Sequence, residues 1–161
     1  MTEHDILAGK KILAVDDEED VLEVIQEQLS TCELSTAHDY NGARELLETG
    51  MFDLAVLDIM GVRGFDLLDI ATRKKIPAVI LTAHSMTPES LQRAIDKGAV
   101  SFLPKDELFR LSELFAEILG EVQEGRTHWA KLESRLGHRF KKLWGEMWEE
   151  IKFPRDSKIS W

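Results

Sequence analysis

Five side chains in this sequence stand where apolar runs end, and their types suit one kind of chemistry. "KILAV" (11–15) runs into the acids Asp16 and Asp17, "LAVL" (54–57) into Asp58, "AVIL" (78–81) into Thr82, and "SFLP" (101–104) into Lys105. Carboxylates gathered in one crevice repel unless a hard cation sits among them, and oxygen ligands with a few waters suit Mg²⁺. An ammonium and a hydroxyl beside such a set complete a site that holds a phosphoryl group on a central carboxylate. The carboxylate attacks phosphorus, the cations neutralise charge on the phosphoryl oxygens, and the hydroxyl donates to one of them.

For these groups to meet, the runs must be neighbouring strands. Residues 11–15, 54–57 and 78–81 are almost continuously apolar, the pattern of strands buried on both faces in a helix-covered parallel sheet. "ELSTA" (33–37) and "VSFL" (100–103) alternate with Ser or Thr and are expected at the edges, where strands meet more solvent. Helical spacing fills the gaps: residues 20–30, 41–49 with Gly50 as a stop, 65–74, 88–97 behind the cap Thr87 and Pro88, and 107–122 behind Asp106. Strand–helix alternation predicts an α/β fold. The hydrophobicity ranking predicts a flavodoxin-like, doubly wound, five-stranded parallel sheet in the order 2-1-3-4-5. Its switch point lies between strands one and three, so Asp16, Asp17 and Asp58 converge there.

The chain of 161 residues has a net charge of −10, which argues against a nucleic-acid sheath. The charge is divided: residues 1–125 carry −14 and residues 126–161 carry +4, and all four Trp fall in the second segment. We therefore expect two units, 1–125 and a helical extension 126–161. Cys32, the single cysteine, permits no intrachain disulfide and is read as a small buried hydrophobe in a reducing compartment. The acidic start does not fit a signal peptide, and no run of 18 apolar residues occurs, so a cytoplasmic protein is expected. No Gly-rich phosphate loop and no Ser-His-Asp order appears, so an enzyme is not expected.

Taken together, "VDDEED", "LDIM", "LTA" and "FLPK", in this order, resemble the receiver domain of bacterial two-component response regulators over about residues 9–122. The resemblance implies that Asp58 is the phosphoacceptor. It implies that Mg²⁺ is held by Asp17 directly, by Asp16 mainly through water, by Asp58 and by the Met60 backbone carbonyl. Thr82 and Lys105 would contact the phosphoryl group, Phe102 matches the aromatic switch position and Ala83 a position kept small; His84 is read either as tuning dephosphorylation by its position or as an exposed loop histidine. The implied donor is a histidine kinase or phosphotransfer protein. One departure stands beside the phosphoacceptor: "DIMGVRGFDLL" lacks the usual Pro and brings Gly64 about two residues early, with Gly61 and Gly64 expected to supply a tight turn. The alternative is an unphosphorylated interaction scaffold. A haloacid-dehalogenase-like phosphatase would want an acid where Met60 stands. Glu18, Glu19 and Asp20 read as acids favoured at a helix N-terminus.

The extension "THWAKLESRLGHRFKKLWGEMWEEIKF" places Trp129, Leu132, Leu136, Phe140, Leu143, Trp144, Met147, Trp148 and Ile151 on one apolar face of a single long helix ended by Pro154. It is too short for a standard DNA-binding output domain, and nucleic acid is not an expected partner. Glu146, Glu149 and Glu150 oppose a membrane-surface role. The favoured expectation is docking to a protein target or self-association, with the basic tail pairing to the acidic receiver of a second copy in a homodimer. Folding back on its own receiver is the competing fate.

Overall fold

The computed structural model describes residues 2–83, 86–154 and 157–159; His84 and Trp161 lie outside them. The predicted runs become β1 (Lys11–Val15), β2 (Glu33–Ala37), β3 (Leu54–Asp58), β4 (Ala78–Thr82) and β5 (Ser101–Pro104). They form one parallel sheet in the order β2-β1-β3-β4-β5. The register aligns their carboxyl ends: Val15 lies beside Leu57, Asp58 beside Leu81, and Thr82 beside Pro104. The residues that follow therefore share one rim.

Successive residues of a strand point to opposite faces, and each face has its own core. Ile12 and Ala14 of β1 face one side, packed with α2 (Glu19–Gln28) and α6 (Leu111–Gln123). Leu13 and Val15 face the other, packed with α3 (Tyr40–Thr49), α4 (Gly64–Arg73) and α5 (Pro88–Asp96). Side-chain caps start two of these helices as the sequence predicts for one: Thr87 accepts from Ser90 N at 3.1 Å, and Asp39 accepts from Gly42 N at 2.8 Å. A helix not foreseen, α1 (Glu3–Leu7), buries Leu7 on the α2–α6 side, and Cys32 there is only half-buried, its thiol donating to Leu7 O. The helix expected from 107 begins instead as a 3-10 turn, Lys105–Arg110, before α6.

The extension departs most from expectation. It is not one helix but α7 (Trp129–Trp144) and α8 (Glu146–Glu149), broken at Gly145, whose φ of +60° and ψ of −133° only glycine adopts readily. The break turns the chain back so that Trp148 stacks on Phe140, with ring centroids 5.4 Å apart. The tail packs on its own receiver rather than presenting its apolar face outward. Trp129, Leu132, Leu136 and Phe140 are buried in the α3–α4–α5 core, while Leu143 and Met147 are exposed. Four large side chains at about 1.5–3 kcal/mol each outweigh the ~1 kcal/mol that each of Gly137 and Gly145 costs a helix.

This packing also overturns the expectation that β5 meets solvent, since all four of its residues are buried. His128 N donates to Val100 O at 2.8 Å, continuing the sheet by one bond, and Trp129 Nε1 donates to Ala99 O at 2.9 Å. Charges follow the same path. Arg135 pairs with Glu117 at 2.6 Å, and Lys131 and Arg126 both pair with Glu121 at 2.8 Å. The acidic partner that the sequence suggested on a second copy is thus supplied by α6 of the same chain.

Candidate functional site

The rim of the sheet brings the predicted groups together. Asp16 follows β1, Asp58 ends β3, Thr82 ends β4, and Lys105 follows β5; Asp16, Asp58 and Thr82 are buried. The Lys105 ammonium stands 3.0 Å from Asp16 Oδ2, 3.5 Å from Asp58 Oδ1 and 3.3 Å from Glu18 Oε1. Asp16 Oδ1 accepts from Glu18 N at 2.9 Å, which fixes its orientation as β1 turns into α2. Glu18 is therefore part of the site and not only an acid at a helix start, whereas Glu19 and Asp20 do occupy the first turn of α2.

Burial makes these charges expensive. Asp58 is pushed up to about 7, first by loss of water, then by the charge of Asp16, with Asp17 adding to it and Lys105 opposing. Burial also raises Asp16. Burial alone would lower Lys105, but its close pairing with Asp16 and the charge of Asp58 win, and its pKa is raised. One ammonium is thus shared among three acids. Asp16 Oδ2 shows the shortage: it is buried and, although close to Lys105, has no hydrogen-bond partner.

Asp16, Asp17 and Glu18 each offer a carboxylate oxygen within 4.8 Å of the others. An orphaned buried oxygen inside an all-oxygen cluster fits a hard divalent cation. Asp58 is not in that cluster; it is joined to Asp16 and Glu18 through the shared Lys105 ammonium. The side chain of Met60 is exposed.

The loop after Asp58 explains its glycines. A Cβ on Gly64 would sit 2.2 Å from Asp58 O, and one on Gly61 would sit 2.5 Å from Asp17 Oδ2, where φ is +81° as well. The turn expected at these positions is tight because the chain runs against the site itself. Arg63 takes the left-handed conformation between them, at φ 56°.

Two clefts, each of about 260 Å³, meet at the rim. One is lined by Asp58, Met60, Thr82, Ala83, Met86 and Ser90. The other shares Thr82, Ala83 and Met86 and adds Lys105 and, from α7, Arg139, Phe140 and Trp144. Phe102, on β5, is fully buried, its ring 5.9 Å from that of Trp129 and 5.0 Å from that of Phe140. That α7 reaches the site depends on how the tail docks, which an apolar stripe does not specify.

A five-stranded doubly wound sheet with a carboxylate crevice at its switch point has its polar groups where open α/β sheets bind ligands. The family model for the response regulator receiver domain matches residues 12–119, and the chain belongs to that family. It is 32% identical over 113 residues to the two-component response regulator ARR10 of Arabidopsis thaliana, covering 66% of this chain and 20% of that protein. The chain thus spans about a fifth of that relative's length. Among solved structures it resembles the receiver domain of NtrX from Brucella abortus at 31% identity and a TM-score of 0.55, covering 66% of this chain and 98% of that one. It shares its fold with a CheY-like receiver domain protein from Methanospirillum hungatei JF-1 at 23% identity and a TM-score of 0.65, covering 73% and 98%. Among the described residues no helix is long and apolar enough to cross a membrane.

Proposed function

We propose that the protein is a phosphorylation-dependent signalling switch that accepts a phosphoryl group on Asp58 from a histidine kinase or phosphotransfer protein. The observation that carries this reading is the Lys105 ammonium held between Asp16 and Asp58 at the carboxyl rim. A carboxylate oxygen of Asp58 forms a bond to phosphorus as the bond from phosphorus to the donor nitrogen breaks, and the electron pair stays with the donor imidazole. Lys105 moves from balancing Asp58 to balancing the phosphoryl oxygens, and the Thr82 hydroxyl donates to one of them. Asp16 and Asp17, with Asp58 and the Met60 carbonyl, would hold Mg²⁺; Glu18 stands close enough to Asp16 and Asp17 to join those two. Bound there, the ion supplies the positive charge that draws Asp58 below neutrality and makes it a nucleophile at ordinary pH.

Thr82 and Phe102 would carry the change from the rim to the α5–β5–α6 face, and output would be a protein–protein event. The test is mass spectrometry after exposure to phosphoramidate with Mg²⁺. A single phosphoryl adduct, absent from Asp58→Asn and from EDTA-treated protein, is expected. No adduct on the wild-type chain would leave the unphosphorylated scaffold as the better account.

A further inference from the structure

We propose that the tail helix α7 is a working wall of the phosphoacceptor site, and that Arg139 on it is a positioning residue that holds the phosphorylated state in place. The inference rests on the reading that Asp58 is phosphorylated, and it deepens that reading by adding a residue from outside the receiver core.

Three observations carry it. Arg139 and Phe140 line the same cleft as Thr82, Ala83 and Lys105, and that cleft joins the one lined by Asp58. Arg139 is tied to the turn that begins at Lys105: its guanidinium pairs with Asp106 and lies 3.3 Å from Glu107. Phe140, the next residue, sets its ring against Phe102 at 5.0 Å, so α7 cannot move at the rim without disturbing β5.

The charge count gives the direction. In the free site one ammonium serves Asp16, Asp58 and Glu18. A phosphoryl group on Asp58 adds between one and two negative charges, about −1.5 to −2 for a phosphomonoester at neutral pH, and places them beside Thr82 and Ala83. Lys105 cannot serve that group and its former partners equally. Among the described residues Arg139 is the next cation on the cleft, half-exposed, with a planar fork of donors suited to phosphoryl oxygens. Its present partners, Asp106 and Glu107, hold it at the mouth. Phosphorylation draws it inward, so the tail docks more tightly and covers the acyl phosphate from water. The full burial of Phe102 under Trp129 and Phe140 agrees with a docked tail that supports the inward ring.

The test compares the full chain with Arg139→Ala, Arg139→Lys and Asp106→Asn. Each is loaded with phosphoramidate and Mg²⁺, then freed of donor, and the loss of phosphoryl is followed by mass spectrometry. Hydrogen exchange of α7 amides is measured before and after loading. Arg139→Ala is expected to lose its phosphoryl group about three- to fivefold faster, the scale of a partly exposed ion pair, with Arg139→Lys between it and the parent. Loading should slow α7 exchange in the parent and not in Arg139→Ala. Asp106→Asn frees the guanidinium, so it should lengthen the lifetime, and that gain should vanish in the Arg139→Ala background. If Arg139 were only a clamp on the turn, Asp106→Asn would shorten the lifetime as Arg139→Ala does; that result overturns the proposal. So does an unchanged lifetime in Arg139→Ala, or α7 exchange indifferent to loading. A wild-type chain that takes no phosphoryl group at all would instead refute the phosphoacceptor reading beneath it.

Discussion

Asp58→Asn should make the metal-free protein more stable, and more so at alkaline pH. Asp58 titrates at about 7 in the folded chain against an ordinary value of 3.8. A carboxyl whose folded pKa is raised gives its full stability below the unfolded value, and that stability is lost as pH rises through the folded one. Each pH unit in that window costs ~1.4 kcal/mol. Ionising Asp58 therefore costs the fold about 4 kcal/mol at pH 8 and about 2 kcal/mol at pH 5, where most folded molecules still carry the proton. An amide cannot ionise, so the variant escapes both costs. The assay is urea unfolding of the two proteins in EDTA at the two pH values, with the stability difference extrapolated to water. Groups that titrate alike in both chains cancel. The variant should gain about 2 kcal/mol more at pH 8 than at pH 5. Adding Mg²⁺ should narrow the gap, because the ion stabilises the ionised wild-type site by mass action. A variant no more stable than the parent, or a gain that ignores pH, would show that the crowding of carboxylates around Lys105 is not the dominant electrostatic fact of the site.

Further outcomes follow from packing and titration. Phe140→Ala should cost about 3–5 kcal/mol of tail docking, seen as Trp fluorescence changing at lower urea than the far-UV signal of the sheet. Gly64→Ala forces a Cβ to within 2.2 Å of Asp58 O and should destabilise the chain by roughly 2 kcal/mol or more. Gly61→Ala, set against the Asp17 carboxylate, should weaken Mg²⁺ affinity in a calorimetric titration more than it lowers stability. His128 is buried between Ser101 and Glu117, with Glu121 and Arg135 near; burial lowers its pKa below 6.5 despite Glu117. Its contribution is present above 6.5 and is lost as pH falls, so tail fluorescence should report loosening as the pH is taken below 6.5. His128→Gln should flatten that profile, while the receiver, relieved at Asp58, gains stability over the same range.

The site was legible because each of its side chains marks the end of a strand. A buried parallel strand writes itself as an unbroken apolar run, so Asp58, Thr82 and Lys105 could be placed by where the runs stop. Glu18 was not legible in this way: next to Glu19 and Asp20 it looks like any acid at a helix start, and only the position of Lys105, 87 residues on, gives it a partner. Arg139 was hidden for a related reason. An amphipathic stripe such as Trp129, Leu132, Leu136 and Phe140 predicts that a face will be covered but carries no word on what covers it. The same pattern serves a second copy, a target protein or the chain itself. Fluctuating length rather than pattern hid α1, whose five residues are too few for a period to show. At Gly145 the composition did signal a cost, and the structure spends that residue on a reversal rather than on a weak turn of helix.

A parallel sheet can grow by accepting a neighbour's strand along either outer rim, and head-to-tail accretion needs both rims raw. The bond from His128 to Val100, with α7 laid over β5, shutters one of them. A chain that carries its own shutter keeps that border from a neighbour's strand, and detaching the tail would lay it bare.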